Sequence, residues 1–112
     1  MERAQVGELE ELVLLAVGSL MDEAYAVSIL KVIKEHTNRR LDVTAVHSVL
    51  RRLEKKGYVA AQMGEATPVR GGRRKKYFTL TQAGRKVLDD IMQVRLSLYN
   101  QLPKLTLILP RL

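Results

Sequence analysis

The sequence predicts a mainly α-helical domain carrying a small β-hairpin, and three observations predict it. Apolar residues recur at helical spacing in four separate stretches. Between the third and fourth stretch, two short runs rich in β-forming residues flank a loop containing Pro68, Gly71 and Gly72. The chain has 112 residues, 46% of them hydrophobic and 28% charged, which suits one globular core and excludes both a second domain and wholesale disorder.

The first helix is expected over residues 8–21. Leu9, Leu12, Val13, Ala16, Val17 and Leu20 share one face, and Glu8, Glu10 and Glu11 suit the positive end of a helix. Leu14 and Leu15 widen that face, as in a helix buried on more than one side. The second helix is expected over 24–37, on a stripe of Ala26, Ile29, Leu30 and Ile33. The third spans 43–56, with Asp42 as N-cap, Gly57 as left-handed C-cap, and Val46, Val49, Leu50 and Leu53 as the stripe. Val59–Met63 and Lys75–Leu80 read as the two strands. The fourth helix is expected over 82–102, capped by Thr81 and stopped by Pro103, and would be about 32 Å long. Three helices, a hairpin and a further helix are the layout of a winged helix-turn-helix (residues 1–80) followed by a long C-terminal helix (81–102). An apolar tail, 103–112, has no assigned role.

Charge narrows the function. The net charge is +7, but residues 1–30 carry six acids and one base, whereas 31–86 carry fifteen bases and four acids. A cluster of that kind favours a polyanionic partner. No cysteine is present, which excludes disulfides, thiolate metal sites and cysteine nucleophiles. With only His36 and His47 as imidazoles and no carboxylate cluster beside them, neither a metal site nor a cofactor is expected. Ser28 and Lys31 match an S-x-x-K pattern without its companion motifs, and Asp89 and Asp90 point about 100° apart on a helix, so no catalytic residue is assigned and an enzyme is not expected. The longest apolar run, Leu12–Val17, is too short to span a bilayer, and acids rather than bases precede it, so a cytoplasmic protein without a membrane partner is expected.

Two segments are suited to nucleic acid. On the third helix, Thr44, Ser48, Arg51 and Lys55 lie opposite the apolar stripe, flanked by His47 and Arg52. Small residues at the start of such a helix let it approach base edges, and longer basic chains further along reach guanine or phosphate. The plainer alternative is a solvated face of an amphipathic helix. In the loop, Arg70, Arg73, Arg74, Lys75 and Lys76 make five of seven residues basic. Crowded like charges are relieved by phosphates, although lysines also protect edge strands. Only Tyr77 and Phe78 are adjacent aromatics, which favours duplex DNA over stacked single strands.

The stretches Gly7–Leu15, Ala24–Ile29, Ala45–Val59, Gly64–Tyr77 and Thr79–Gly84 resemble the PadR family of transcriptional regulators in its short form, over about residues 7–102. The resemblance implies a homodimeric repressor of double-stranded DNA, with the third helix in the major groove and the wing on the backbone or minor groove. Some family members bind small-molecule effectors between subunits, and nothing in this sequence specifies such a pocket. The chain departs from the family pattern at His47, where tyrosine is usual, at Thr44, where glycine is frequent, and at Ala26, which replaces a glycine. Helices one and four carry more apolar surface than one domain can bury, so Leu9, Leu12, Val13, Leu88, Ile91, Met92, Leu98, Tyr99 and Leu102 are expected at the dimer interface. The alternatives are a winged helix used for protein–protein contact, against which the basic wing counts, and an RNA-binding module.

Overall fold

A computed structural model describes residues 6–65 and 74–104. It contains α1 (Glu8–Leu20), a 3₁₀ turn (Met21–Glu23), α2 (Ala26–His36), α3 (Val43–Lys55), β1 (Val59–Met63), β2 (Lys76–Leu80) and α4 (Gln82–Tyr99). The elements follow the expected order, and the ends shift for local reasons. Ala24 and Tyr25 are extended rather than helical, because the Ala24 carbonyl accepts the Phe78 N–H at 2.8 Å. The Tyr25 N–H goes to Ser28 Oγ at 2.9 Å, so Ser28 caps α2 and has a structural role. α4 ends at Tyr99, three residues short of the expected end, because the chain must leave helical geometry before Pro103.

The expected caps are present. Asp42 accepts the Ala45 N–H at 2.9 Å and so fixes the start of α3. At its end Gly57 takes φ +80°, and the N–H groups of Gly57 and Tyr58 return to the carbonyls of Glu54 and Leu53. Thr81 accepts the Gly84 N–H at 3.0 Å and donates to the Gly57 carbonyl at 2.6 Å, which ties the end of α3 to the start of α4. A Cβ at Gly84 would collide with the Tyr58 carbonyl oxygen, so only glycine allows this approach.

The core is built from the predicted stripes. Val13, Leu14 and Val17 of α1 meet Ile29 and Ile33 of α2 and Val46, Val49, Leu50 and Leu53 of α3, with Val59, Phe78 and Leu88 closing it. Each such aliphatic side chain contributes about 1.5–3 kcal/mol by leaving water. Leu15, by contrast, is partly exposed, so α1 is not buried all round. The antiparallel hairpin pairs Val59 with Leu80, Ala61 with Phe78 and Met63 with Lys76. This register turns Val59 and Phe78 inward together.

The expectation for the dimer face needs one correction. Val13 and Leu88 are buried in the protomer's own core and have no surface left for a partner. Leu9 and Leu12 are half-buried against that core, and Ile91 and Met92 are half-buried on α4. Leu98, Tyr99 and Leu102 are open to solvent, as are Val94 and Leu96. The tail beyond Lys104 lies outside the described residues.

Candidate nucleic-acid interface

α3 presents the face expected of it. Its apolar stripe is docked, which leaves Thr44, His47, Arg51, Arg52 and Lys55 exposed and Ser48 half-buried. The first turn of α3 is held by Asp42, so these side chains project from a fixed helix rather than a loop.

Beside α3 lies the start of β2, and three successive cations there are each held by a different element. Arg74 Nε donates to the Gly64 carbonyl at 2.8 Å, and the Gly64 N–H donates to the Lys75 carbonyl at 2.7 Å, closing the base of the hairpin. Lys75 Nζ sits 4.3 Å from the centroid of the Tyr25 ring, a cation–π contact with the entry to α2. That ring meets Tyr77 edge-on at 5.6 Å. Lys76 Nζ reaches Glu54 Oε1 of α3 at 3.4 Å and lies 5.5 Å from the Phe78 centroid.

These contacts wall a cleft of about 590 Å³ between the entry to α2, the outer face of α3 and the start of β2. His47 and Arg51 line it from α3, and Arg74, Lys75 and Lys76 line it from the hairpin. Four cations therefore face one carboxylate, that of Glu54, and three of them, Arg74, Lys75 and Lys76, are held by neighbouring groups. A cleft with that excess of positive charge is electrostatically suited to an anion.

The structure brings five of the eleven predicted nucleic-acid residues into one cleft. Thr44, Ser48, Arg52 and Lys55 share α3 but do not line it. Arg52 Nη1 donates to Ser48 Oγ at 3.3 Å, one turn earlier on the same helix. Arg70 and Arg73 lie outside the described residues. Tyr25 and Glu54 were not expected at the site. Glu54 had a signal, as one of four acids in the basic middle of the chain, whereas the role of Tyr25 depends on a contact across fifty residues.

Asp89 and Asp90 pair with Arg85 and Lys86 one turn earlier on α4. Among the described residues, no group of three or more His, Asp or Glu is arranged to hold a metal ion, and no helix is long and apolar enough to cross a membrane.

Comparison with known proteins bears on the family and the fold. The sequence model of the transcriptional regulator PadR-like family matches residues 13–90. A PadR family transcription regulator from Clostridium difficile R20291 superposes with a TM-score of 0.71 at 23% identity, over 84% of this chain and 93% of its own. The protein smu.1704 from Streptococcus mutans UA159 is 30% identical, with a TM-score of 0.63, over 82% of this chain and 78% of its own. BpsR of Bordetella bronchiseptica, whose DNA binding is regulated by 6-hydroxynicotinic acid, is 21% identical, with a TM-score of 0.62, over 92% of this chain and 72% of its own. No curated protein sequence matches significantly.

Proposed function

The chain belongs to the PadR-like family of transcriptional regulators, and on that premise we propose that it is a homodimeric, sequence-specific repressor of double-stranded DNA. In this reading α3 enters the major groove. Arg51 reads a base edge, with Thr44, His47 and Ser48 nearer the helix start. Arg52 and Lys55 reach the flanking phosphates. Arg74, Lys75 and Lys76, with Arg70 and Arg73 of the wing, follow the backbone or enter the minor groove. α1 and α4 supply the contact between two copies.

The observation that carries this reading is the cleft in which Arg51 of α3 and the cations at the start of β2 face the same space. A groove-reading helix needs backbone contacts beside it to fix its register, and the neighbouring cations provide them. The aromatic residues argue against a single-stranded partner. Phe78 is buried and Tyr25 and Tyr77 are half-buried against each other, so the described residues of the hairpin offer no open stacking platform.

Selection of bound fragments from the genomic DNA of the source organism, followed by fluorescence anisotropy against a scrambled duplex, tests the reading. A preference of about 10³ or more for the selected duplex is expected. Equal, weak and steeply salt-dependent binding to both would reduce the claim to a basic surface, and a preference for RNA in direct competition would replace it.

A further inference from the structure

Two adjacent acids at the start of α1 connect the two helices that matter most. Glu10 accepts the Gly7 N–H at 3.0 Å and takes Lys56 Nζ at 2.8 Å, just past the end of α3. Glu11 takes Arg95 of α4 through two parallel bonds, from Nε at 2.9 Å and Nη2 at 2.8 Å. Both carboxylates are nearly buried, their side chains only 10% and 11% exposed. Exposed ion pairs contribute little, but a two-bond arginine–carboxylate pair with one partner withdrawn from water fixes geometry.

α4 needs such a fixing point. Its start is pinned by Thr81 on Gly57 and by Gly84 against Tyr58. Its packing then fades: Leu88 is buried, Ile91 and Met92 are half-buried, and every residue of the helix after Met92 is exposed. Among the described residues, Arg95 donates the outermost hydrogen bonds from α4 to another element. It stands eleven residues beyond Gly84, about 16 Å along the axis. The pair borders an open pocket of about 430 Å³ lined by Val6, Glu8, Glu11, Leu12 and Arg95. Because every residue of α4 after Met92 is exposed, close packing does not set the angle between α1 and α4 at this level.

We propose that the Glu11–Arg95 pair is a strut that fixes the angle of α4 to the winged helix, and thereby the separation of the two recognition helices and the half-site spacing the protein accepts. Glu11 and Arg95 are thus positioning residues that act on operator choice without touching DNA. The Glu10–Lys56 pair anchors the same turn of α1 to the end of α3, so the orientation passes from one helix to the other through two neighbouring residues. The spacing claim rests on the dimeric reading above, whereas the strut itself lies within one protomer.

The chain has no cysteine, so nitroxide labels can be placed at Lys34→Cys on α2 and Asn100→Cys beyond α4 without interference. Electron–electron distances are measured within one protomer, with labelled chains diluted in unlabelled ones. The full-length wild type is compared with Arg95→Ala, Arg95→Lys and Glu11→Gln. In parallel, duplexes in which two half-sites are separated by different spacers are competed against each other, and sedimentation reports the oligomeric state. The proposal expects a broadened or displaced distance in Arg95→Ala, an intermediate one in Arg95→Lys, and about a fivefold loss of preference for the best spacer. Affinity for a single half-site should stay as in the wild type, because no DNA-facing group changes. Unchanged distances in Arg95→Ala overturn the strut, and unchanged spacer preference in a chain that sediments as a dimer overturns its link to the operator. A monomeric wild type overturns the dimeric reading instead, and the intramolecular distances alone then judge the strut.

Discussion

α3 and α4 are both amphipathic helices of the same chain, and they differ in which kind of surface is left over. In α3 the apolar stripe is fully buried within the protomer, and the surplus is charge: Arg51, Arg52 and Lys55 stand exposed, and Arg51 shares a cleft with Arg74, Lys75 and Lys76. In α4 the near end is buried and the far end is not, and the surplus is apolar, with Leu98 65% and Tyr99 68% exposed. Unrelieved positive charge asks for a polyanion, and an exposed apolar stripe asks for another apolar surface. One protomer thus presents two incomplete faces of opposite chemistry, and the proposed dimer on DNA completes both.

The comparison predicts different penalties for truncating the two stripes. Leu50→Ala, in the buried stripe of α3, should destabilise the fold by about 2–5 kcal/mol, measured by urea unfolding. Leu98→Glu, on the exposed stripe of α4, should leave the urea midpoint of dilute protein nearly unchanged. It should weaken self-association about tenfold or more, as read by sedimentation. A stability loss in Leu98→Glu as large as that in Leu50→Ala would show that the end of α4 is buried in the protomer after all.

Within the charged face, Arg51 and Lys75 should separate by role. Arg51→Ala should reduce discrimination between operator and scrambled DNA by about 1–3 kcal/mol, whereas Lys75→Ala should weaken both complexes alike. The salt dependence should record the same division, with Lys75→Ala lowering the slope by about 0.9 for each phosphate that the lysine neutralises. An unaltered slope in Lys75→Ala would leave that lysine as a brace on Tyr25 and nothing more.

The smallest expected effect concerns acid. Burial pushes the Glu10 carboxyl up, but the hydrogen bonds from Lys56 and Gly7 and the charges of Lys56 and Arg52 outweigh it, so its pKa falls below the ordinary 4.5. A group whose pKa is lowered by folding adds stability above its unfolded pKa and loses it as pH falls through the lowered value. The wild type should therefore lose stability on acidification below about pH 4.5 more steeply than Glu10→Gln, with urea midpoints along a pH series as the measurement. Parallel curves for the two proteins would remove Glu10 from the acid response.

Most of the fold was legible because it is set by local rules. The stripe of α3, the caps Asp42, Gly57 and Thr81, and the two strands each follow from residues within a few positions of one another. What was not legible depends on partners distant in sequence. Ala24 and Tyr25 carry no sign that Phe78 will hold them extended. Glu10 and Glu11 suit a helix start on their own, and their actual partners lie 46 and 84 residues away. The apolar stripe of α4 is continuous in sequence, so periodicity could not separate Leu88, which the core takes, from Leu98, which it leaves out. At the candidate site the basic residues were visible from charge alone, whereas Tyr25 entered only through the contact that holds Lys75.

The central claim is that two copies present their α3 helices together to one face of duplex DNA. Hydroxyl-radical footprinting of wild-type protein on its selected operator addresses it most directly. Two protected patches are expected, with centres one helical turn, about 10 base pairs, or a multiple of it apart and flanking protection from the wings. A single protected patch, bound by a monomer with full affinity, would contradict it.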